Sequence, residues 1–566
     1  MLKRWKGILI IFGLLGLLAL LGACAKAETV STPTPMGAMV LPTATPLGAE
    51  VKPIPGGTLR SSFSTDPPHW DPKRTVGGAH TYFNFVHAFL INFHYGPDYP
   101  QWNFDITSDG LAERWEMSPD GKTYTFHLRK GVKFQNKPPV NGRELVAQDV
   151  KWTIEDSMVT PGAAFRESFE DNIERIECPD KYTVVFYLKQ PWASFLIFMG
   201  NPAVEILPHE VKDQNGDFKR WDTAIGAGPF ALEEYVVNVR MVFKKNPTYY
   251  RANEGLPYLD KLHYVAISDS STSLAAFRSE KIDIRGISRV DLASVKGTNP
   301  DVYCYETELG PTMLGLTFRS DKPPFNDVRV RQAVSMALDR QAIIDRFYYG
   351  YGVDQQGLVN AGSPWYLKDK GECDKYGKYN TGEAKRLLAE AGYPQGFSTD
   401  LNLTSAYGAT HIEYAEMWVD ALAKIGIKTT LRLKEFAAFE ATIEKGDYEG
   451  LGWMYYFSGF NIDPDTWLIR KYHPRSGVNA SKVNDPKINE MLAAQSEALT
   501  PEKRQEVLNE FQRYDACQVY YVPWPLAYGV TCLQPWVRNY KVHAASMSGG
   551  RIYEMVWVDQ TSPGRK

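Results

Sequence analysis

Alternating apolar and polar residues predict both strands and helices along the chain after Gly56. Residues 58–63 predict a first strand. Residues 112–134 give the clearest local pattern, because apolar side chains occupy every second position beside a Ser-Pro-Asp-Gly turn. Such alternation around a turn sequence predicts a hairpin with one buried face.

Helix signals follow the hairpin and recur in the second half of the chain. Capping residues precede apolar residues spaced by three or four, and a glycine with a proline beyond it ends one helix. The predicted helices cover 147–158, 329–338 after the Asn326-Asp327 cap, the stretch that Asp339 caps up to Phe347, and the stretch that Thr381 caps up to Gly392. Because strands and helices alternate and no fixed-period repeat is present, the sequence predicts a mixed α/β fold.

Length and charge narrow the classes of function. The 566 residues predict about three domains at roughly 100–200 residues each. Lys and Arg number 63 against 66 Asp and Glu, which leaves a formal charge of −3. Proteins bind nucleic-acid phosphates through a marked basic excess or a basic stripe. This sequence has neither, so we expect no nucleic-acid partner. Aromatic residues make up 13% of the chain, which favours large amphipathic contact surfaces.

Residues 1–23 are typical of a secretory signal peptide. Lys3, Arg4 and Lys6 precede an uncharged apolar run over 7–23. The run ends in Leu-Gly-Ala before Cys24, which resembles the lipobox of bacterial lipoprotein signal peptides. The resemblance implies lipid attachment at the Cys24 thiol and an anchor at the outer face of the cell membrane or in the periplasm. The alternative is an uncleaved membrane anchor, because the apolar run approaches a spanning length.

Residues 24–55 are predicted to form an extended linker. Proline recurs there among Thr, Gly and Ala, so the stretch cannot bury a core. In polyproline geometry, at ~3.1 Å per residue, about 25 residues can hold a domain up to ~80 Å from a membrane.

Five cysteines remain after Cys24, and an exported compartment permits disulfides. Cys517 and Cys532 flank a Pro-rich bend and are the preferred pair among several possible ones. None of the cysteines has the C-x-x-C spacing of zinc or redox motifs. We expect no metal and no cofactor.

Several segments occur together in a recognisable order. They are GGTLR at 56–60, the hairpin region 111–156, GAGPFALEEY at 226–235, 246–264, 275–284, KPPFNDVRVRQAVSMALDRQAII at 322–344 and EAKRLLAEAGYPQGF at 383–397. In this order they resemble the peptide/nickel-type solute-binding proteins of ABC importers, which are the extracellular solute-binding proteins of family 5. The joint resemblance covers essentially all of 56–560.

This resemblance implies a fold and a role. The fold is a type II, periplasmic-binding-protein-like (Venus flytrap) α/β fold with two lobes and an extra small α/β domain. Lobe I would comprise 56–94, 222–308 and 532–566, domain II would comprise 95–221, and lobe III would comprise 309–531. A monomer would enclose a small solute between lobes I and III and deliver it to the transmembrane subunits of an ABC permease.

Residues 448–467 are the best candidate for ligand contact. Leu451, Trp453 and Tyr455 alternate as a strand, and the residues after Tyr455 are predicted to form a loop. Ligands of open α/β folds bind beyond strand ends, where such loops converge. Core packing is the alternative role for the strand aromatics, and Asp463 is predicted to cap the next helix, with Pro464 in its first turn. The candidate ligand-binding residues are Tyr455, Tyr456, Ser458, Phe460, Asn461 and Trp467, with Trp70 as a separate candidate near the end of the first strand.

The resemblance also bears on the ligand. Peptide-binding members of the family place an aspartate a few residues before the Asp-Pro-Asp to pair with the peptide α-ammonium, and this chain has Phe460 there. A buried ammonium without a counter-charge is costly, so another carboxylate takes this role or the ligand lacks a free amine. We expect an oligopeptide, with an oligosaccharide or another non-peptide solute as the alternative.

Sequence motifs of catalysis are missing. The chain has no Gly-x-Ser-x-Gly elbow, no His-Glu-x-x-His and no phosphate loop. We therefore expect a binding protein and not an enzyme. An exported glycan hydrolase stays as the alternative, because its two carboxylates carry no local motif.

Overall fold

The structure is a computed structural model that describes residues 52–74, 79–96, 98–102, 104–307, 313–457, 463–543 and 550–562. Contacts divide the chain into two units, Met1–Leu41 and Pro42–Lys566, and every residue described below belongs to the second unit. The predicted signal peptide, the lipidation site Cys24 and the linker up to residue 51 lie outside the described residues.

Helices alternate with strands along the described chain, as predicted for a mixed α/β fold. Within the described ranges, no helix combines the length and the apolar character needed to cross a bilayer. The helices are α1 (His80–Val86), α2 (Ala147–Val159), α3 (Arg166–Asn172), α4 (Phe195–Met199), α5 (His209–Asn215), α6 (Ser270–Arg278), α7 (Arg289–Thr298), α8 (Val328–Ala337), α9 (Arg340–Tyr348), α10 (Thr381–Glu390), α11 (Ala409–Ala423), α12 (Phe436–Thr442), α13 (Pro464–Tyr472), α14 (Pro486–Glu497) and α15 (Pro501–Gln518).

The strands range from two to eight residues in length. They are β1 (Thr58–Phe63), β2 (Asn92–Phe93), β3 (Ile106–Thr107), β4 (Ala112–Met117), β5 (Thr123–Leu128), β6 (Ile173–Asp180), β7 (Thr183–Leu188), β8 (Phe230–Val236), β9 (Arg240–Lys245), β10 (Lys261–Ala266), β11 (Ile284–Gly286), β12 (Tyr303–Thr307), β13 (Met313–Phe318), β14 (Gly352–Val353), β15 (Ser398–Thr404), β16 (Lys428–Lys434), β17 (Leu451–Phe457), β18 (Tyr521–Pro523), β19 (Leu526–Ala527), β20 (Gly529–Leu533), β21 (Val537–Arg538) and β22 (Trp557–Val558).

Three sheets of four or five strands each contribute to a separate buried apolar cluster. Their strand orders are β1-β10-β9-β8, β4-β5-β7-β6 and β16-β15-β17-β13-β18. The clusters contain Leu59 of the first sheet, Phe126 of the second and Leu401 of the third. A fourth sheet, β11-β20-β12, pairs residues near 284–307 with residues near the end of the chain. Strands that are far apart in sequence therefore share sheets.

The predicted hairpin is confirmed as β4 and β5. Ser118 N donates to Thr123 O at 2.9 Å across the turn, and Gly121 has a φ of +68°, which glycine adopts without strain. Every second residue of β5 is buried, so one face of the hairpin packs into the core.

Of the helix caps predicted between 326 and 381, those of α8 and α9 are confirmed and that of α10 is wrong. The side chains of Asp327 and Asp339 accept backbone hydrogen bonds at the starts of α8 and α9. Thr381 is the first helical residue of α10, and its cap is Asn380, whose side chain accepts from Glu383 N. Asn380 has the extended backbone geometry of a cap residue, whereas Thr381 is already helical. The amide oxygen of Asn380 is therefore the acceptor at this helix start.

The preferred disulfide between Cys517 and Cys532 is wrong. Cys304 is bonded to Cys532, and Cys373 is bonded to Cys517. The reason is strand pairing: Cys304 and Cys532 lie directly opposite each other in the antiparallel pair β12–β20, whereas Cys517 lies in the last turn of α15. The remaining described cysteine, Cys178, is free.

Candidate functional site

The carboxyl ends of three neighbouring strands meet at one edge of the five-stranded sheet. β15 lies between β16 and β17 and runs parallel to both. Their last residues, Lys434, Thr404 and Phe457, therefore lie at the same edge. Ligand sites of open α/β sheets form at this edge.

The chain leaves β15 in a short, exposed turn. Ala406 N donates to Thr404 Oγ1 at 3.2 Å, and the following Gly408 has a φ of +91°, which redirects the backbone into α11. Ser405, Ala406 and Gly408 are exposed, whereas the Tyr407 side chain is half-buried. The turn places one aromatic side chain at the rim of the sheet edge.

Tyr407, His411 of α11 and Tyr455 of β17 form an aromatic cluster at this edge. The ring centroids of Tyr407 and Tyr455 are 4.8 Å apart, and those of His411 and Tyr455 are 5.3 Å apart. Tyr455 Oη and His411 Nε2 are 2.6 Å apart and share a hydrogen bond. Phe436 of α12, which is 39% exposed, packs edge-on against Tyr407 at 6.2 Å. We call these four residues the aromatic edge.

Partial burial keeps the aromatic edge uncharged at neutral pH. Desolvation lowers the pKa of His411 below its ordinary value, which favours the neutral imidazole. Desolvation also raises the pKa of Tyr455, which keeps the phenol protonated. The four uncharged side chains can bind apolar or aromatic groups and sugar rings by stacking, with one polar pair available for orientation. Carboxylates are also close by, because burial and then Glu444 and Glu440 raise the pKa of Tyr407.

A second group of aromatic residues continues from the first. Tyr414 lies 6.0 Å from His411 and stacks on Trp524 at 4.6 Å. Trp524 Nε1 donates to Tyr348 Oη at 3.1 Å, and its ring meets that of Trp453 at 5.4 Å. This contact chain anchors the aromatic edge in the sheet core.

Tyr455 is the one predicted ligand residue that the described structure places at this edge. Tyr456 was predicted in the loop after the strand, and this placement is wrong, because β17 continues to Phe457. Tyr456 is buried, donates to Leu316 O at 2.5 Å and meets the ring of Tyr521 at 5.2 Å. Its hydroxyl group is thus engaged in the core.

Trp467 is also a core residue in this structure. It is 1% exposed and lies in the apolar cluster that also contains Tyr456. Its Nε1 donates to Leu358 O at 2.7 Å. Asp463 caps α13 as predicted, and its side chain accepts from Asp465 N at 2.9 Å.

Trp70 belongs to a different apolar cluster. It is 3% exposed and packs against Phe83 and Tyr235 at 5.6 and 5.3 Å. It borders a cavity of about 450 Å³ that Pro67, Trp221 and charged residues also line. The structure does not bring Trp70 into the aromatic edge.

Three predicted ligand residues, Ser458, Phe460 and Asn461, lie outside the described residues. Tyr407 and His411 were missed as ligand candidates. The sequence could have indicated them. Ligands bind beyond the carboxyl ends of strands in open α/β sheets, and this applies to the segment after β15 as it does to the segment after β17. Across the described ranges, no group of three or more His, Cys, Asp or Glu side chains is placed to hold a metal ion.

Comparison with known proteins gives the family. The profile of the bacterial extracellular solute-binding proteins, family 5 Middle, matches residues 107–479. Heme-binding protein A of Haemophilus influenzae is 30% identical over 76% of this chain and 81% of its own length. Di/tripeptide-binding protein 1 of Pseudomonas aeruginosa is 31% identical over 71% of this chain and 77% of its own length.

Solved structures agree with the family match. The periplasmic binding protein DppA of Helicobacter pylori, in complex with the peptide STSA, superposes with a TM-score of 0.76 at 25% identity, over 90% of this chain and 99% of that one. The fold is therefore the predicted type II periplasmic-binding-protein fold. The chain belongs to the bacterial extracellular solute-binding proteins of family 5. It is a binding protein that acts outside the cytoplasm.

Proposed function

We propose that this protein is the solute-binding subunit of an ABC importer and that its ligand is a peptide. The observation that carries the proposal is the family match over 107–479, together with relatives whose names record di- and tripeptide binding. The captured peptide would pass to the transmembrane subunits of a permease. The protein would act as a monomer and not as an enzyme.

The proposed domain division follows the predicted boundaries: lobe I from 56–94, 222–308 and 532–566, domain II from 95–221, and lobe III from 309–531. The sheet pairings support this division except at its last boundary, because β20 pairs with β12 of lobe I from Gly529 onward and not only from residue 532. β12 and β20 end their ladder at the pair Thr307–Gly529, and β13 and β18 belong to the five-stranded sheet. The chain thus leaves one of these sheets after Thr307 and enters the other at Met313, and it returns between Pro523 and Gly529. Short connections at strand ends are the kind of segment that serves as a hinge, here between lobes I and III.

The proposed attachment to the membrane follows from the N-terminal sequence. Cys24 would carry the lipid, and the Pro-rich stretch up to residue 55 would separate the binding body from the bilayer. The permease would then meet a receptor that is confined to the membrane surface.

The aromatic edge supports a ligand with apolar or aromatic groups. Tyr407 is half-buried and Phe436 is 39% exposed, and the turn residues Ser405 and Ala406 beside Tyr407 are exposed. A peptide can place a side chain on the rings while its backbone bonds to the turn. The same surface also favours sugar rings, so an oligosaccharide is the second candidate.

A thermal-shift screen tests both candidates with the same protein. Di- to pentapeptides and oligosaccharides of matched size are added at millimolar concentration, and a bound ligand raises the melting temperature by mass action. We expect peptides to raise it. If only oligosaccharides do, the peptide proposal is wrong.

Replacing Tyr407 with Ala tests the location of the site. We expect the affinity for the best peptide of the screen to fall roughly tenfold, because the variant loses a ring of the aromatic edge. Tyr379→Ala is the matched control, since Tyr379 is 43% exposed and its ring lies beside Lys424, at the opposite end of α11 from His411. Isothermal titration calorimetry gives both affinities. Equal losses of affinity in the two variants would show that the aromatic edge is not part of the ligand site.

A further inference from the structure

One buried carboxylate, Asp465 in the first turn of α13, accepts hydrogen bonds from two directions. Its Oδ1 accepts from Gln495 and, at 2.5 Å, from Ser496 Oγ, both of α14. Its Oδ2 accepts from Trp192 Nε1 at 2.9 Å and from the Ser194 hydroxyl. Asp465 is 2% exposed, so these bonds replace water around a charged group.

The donors on the two sides belong to different proposed domains. Gln495 and Ser496 lie within 309–531, together with Asp465, whereas Trp192 and Ser194 lie within 95–221. Ala193 N also donates to Ser496 O at 2.7 Å across the same boundary. Trp192 is 1% exposed and Ser194 is fully buried, so this contact excludes water. We call the segment from Trp192 to Ser194 the latch segment.

The domain that carries the latch segment is bonded extensively to lobe I. Gln135 Nε2 donates to Phe230 O at 2.9 Å, and Lys137 Nζ donates to Leu232 O at 2.6 Å. Arg251 also pairs with Asp109 at 2.8 Å. Residues from both domains share one apolar cluster, which includes Ile225 and Ala227 beside the core of 95–221. These bonds favour movement of domain II together with lobe I.

We propose that the latch segment and Asp465 form a closed-state latch, which holds lobe III against domain II when lobes I and III enclose the ligand. If lobe III swings away on the hinge and domain II stays with lobe I, the bonds to Asp465 Oδ2 and Ser496 O break. The bonds to Asp465 Oδ1 lie within lobe III and persist. Trp192 and Ser194 are thus positioning residues for the closed form. This inference rests on the proposed hinge and on solute binding.

Two serine variants distinguish a contact that holds the closed form from one that only stabilises the fold. Ser194→Ala removes a donor to Asp465 from across the boundary, and Ser496→Ala removes one from within lobe III. We expect Ser194→Ala to speed dissociation of the best peptide of the screen about tenfold, because the closed form loses a bond to a charged group. We expect Ser496→Ala to lower the melting temperature without changing the dissociation rate. Stopped-flow measurements on the full chain give the rates.

Hydrogen exchange of the ligand-free protein tests the latch without any ligand. We expect the amide of Ala193 to exchange at least tenfold faster than amides of the β5–β7 ladder, and to become protected when the peptide is added. Protection equal to that ladder without ligand would show a permanent contact and overturn the latch. Equal dissociation rates for Ser194→Ala and Ser496→Ala would also overturn it. If no peptide binds the wild type, the peptide proposal fails, while exchange of the ligand-free protein still decides the latch.

Discussion

At the scale of single residues, the start of α13 depends on a buried ion pair. Arg504 of α15 donates to both carboxylate oxygens of Asp463 at 2.7 and 2.5 Å. Asp463 is fully buried and the Arg504 side chain is 4% exposed. The two charges satisfy each other where water cannot, and the pair fixes the residue that caps α13.

Replacing Arg504 with Met should destabilise the protein by about 3–5 kcal/mol, because Asp463 would be left as an unpaired buried charge. Equilibrium urea unfolding measures this loss. The double variant Asp463→Asn with Arg504→Met should recover part of it, since asparagine can still cap the helix without a charge. Arg386→Met is the control, because Arg386 is 55% exposed and its ion pairs are solvated. A double variant that is less stable than Arg504→Met alone would contradict the argument.

The cap was predictable from the sequence and its partner was not. Asp463 followed by Pro464 is a local signal, and it correctly predicted the start of α13. Arg504 lies 41 residues away and is brought to Asp463 by the packing of α15. Sequence spacing carries no information about such a contact.

At the scale of elements, β17 shows where the pattern of alternation fails. The strand lies between β15 and β13, and Trp453, Met454 and Tyr456 are all buried. A strand that is buried on both faces reads as a continuous apolar run, so its end cannot be found by alternation. The predicted loop therefore began too early, and Tyr456 was assigned to the ligand site.

The end of α10 was predicted correctly and follows a defined geometry. Tyr393 N donates to Leu388 O at 2.8 Å, and Gly392 N donates to Ala389 O at 3.0 Å, the two bonds of a Schellman motif. Gly392 has a φ of +93°, and no atom lies within 4 Å of a Cβ added there. Backbone conformation alone therefore requires glycine at this position.

Two glycine substitutions should shift stability in opposite directions. Gly392→Ala should destabilise the protein by about 1 kcal/mol, because alanine is strained at positive φ. Gly297→Ala should stabilise it by roughly 0.5–1 kcal/mol, since Gly297 lies within α7 and a Cβ there meets open space. Differential scanning calorimetry of the two variants measures both shifts. Changes of the same sign would show that packing, and not backbone conformation, sets the effect.

At the scale of the whole molecule, the chain builds its sheets from distant segments. β1 pairs with β10, and β20 pairs with β11 and β12, which precede it by more than 200 residues. The disulfide between Cys304 of β12 and Cys532 of β20 spans a sequence separation of 228 residues. Local patterns predicted the α/β class and most of the elements tested above. The arrangement of distant strands was predicted only through the family resemblance, because no local pattern specifies which strands pair.

The disulfides should report this arrangement directly. Peptide mapping of the unreduced protein should yield Cys304 linked to Cys532 and Cys373 linked to Cys517, with the Cys178 thiol open to alkylation. The two loops span 228 and 144 residues. Because loop-closure entropy grows only slowly with length, replacing either pair with Ala should lower the free energy of unfolding by a similar amount, up to about 5 kcal/mol. A peptide that links Cys517 to Cys532 would mean that β12 and β20 are not paired in this register, and the sheet β11-β20-β12 would be wrong.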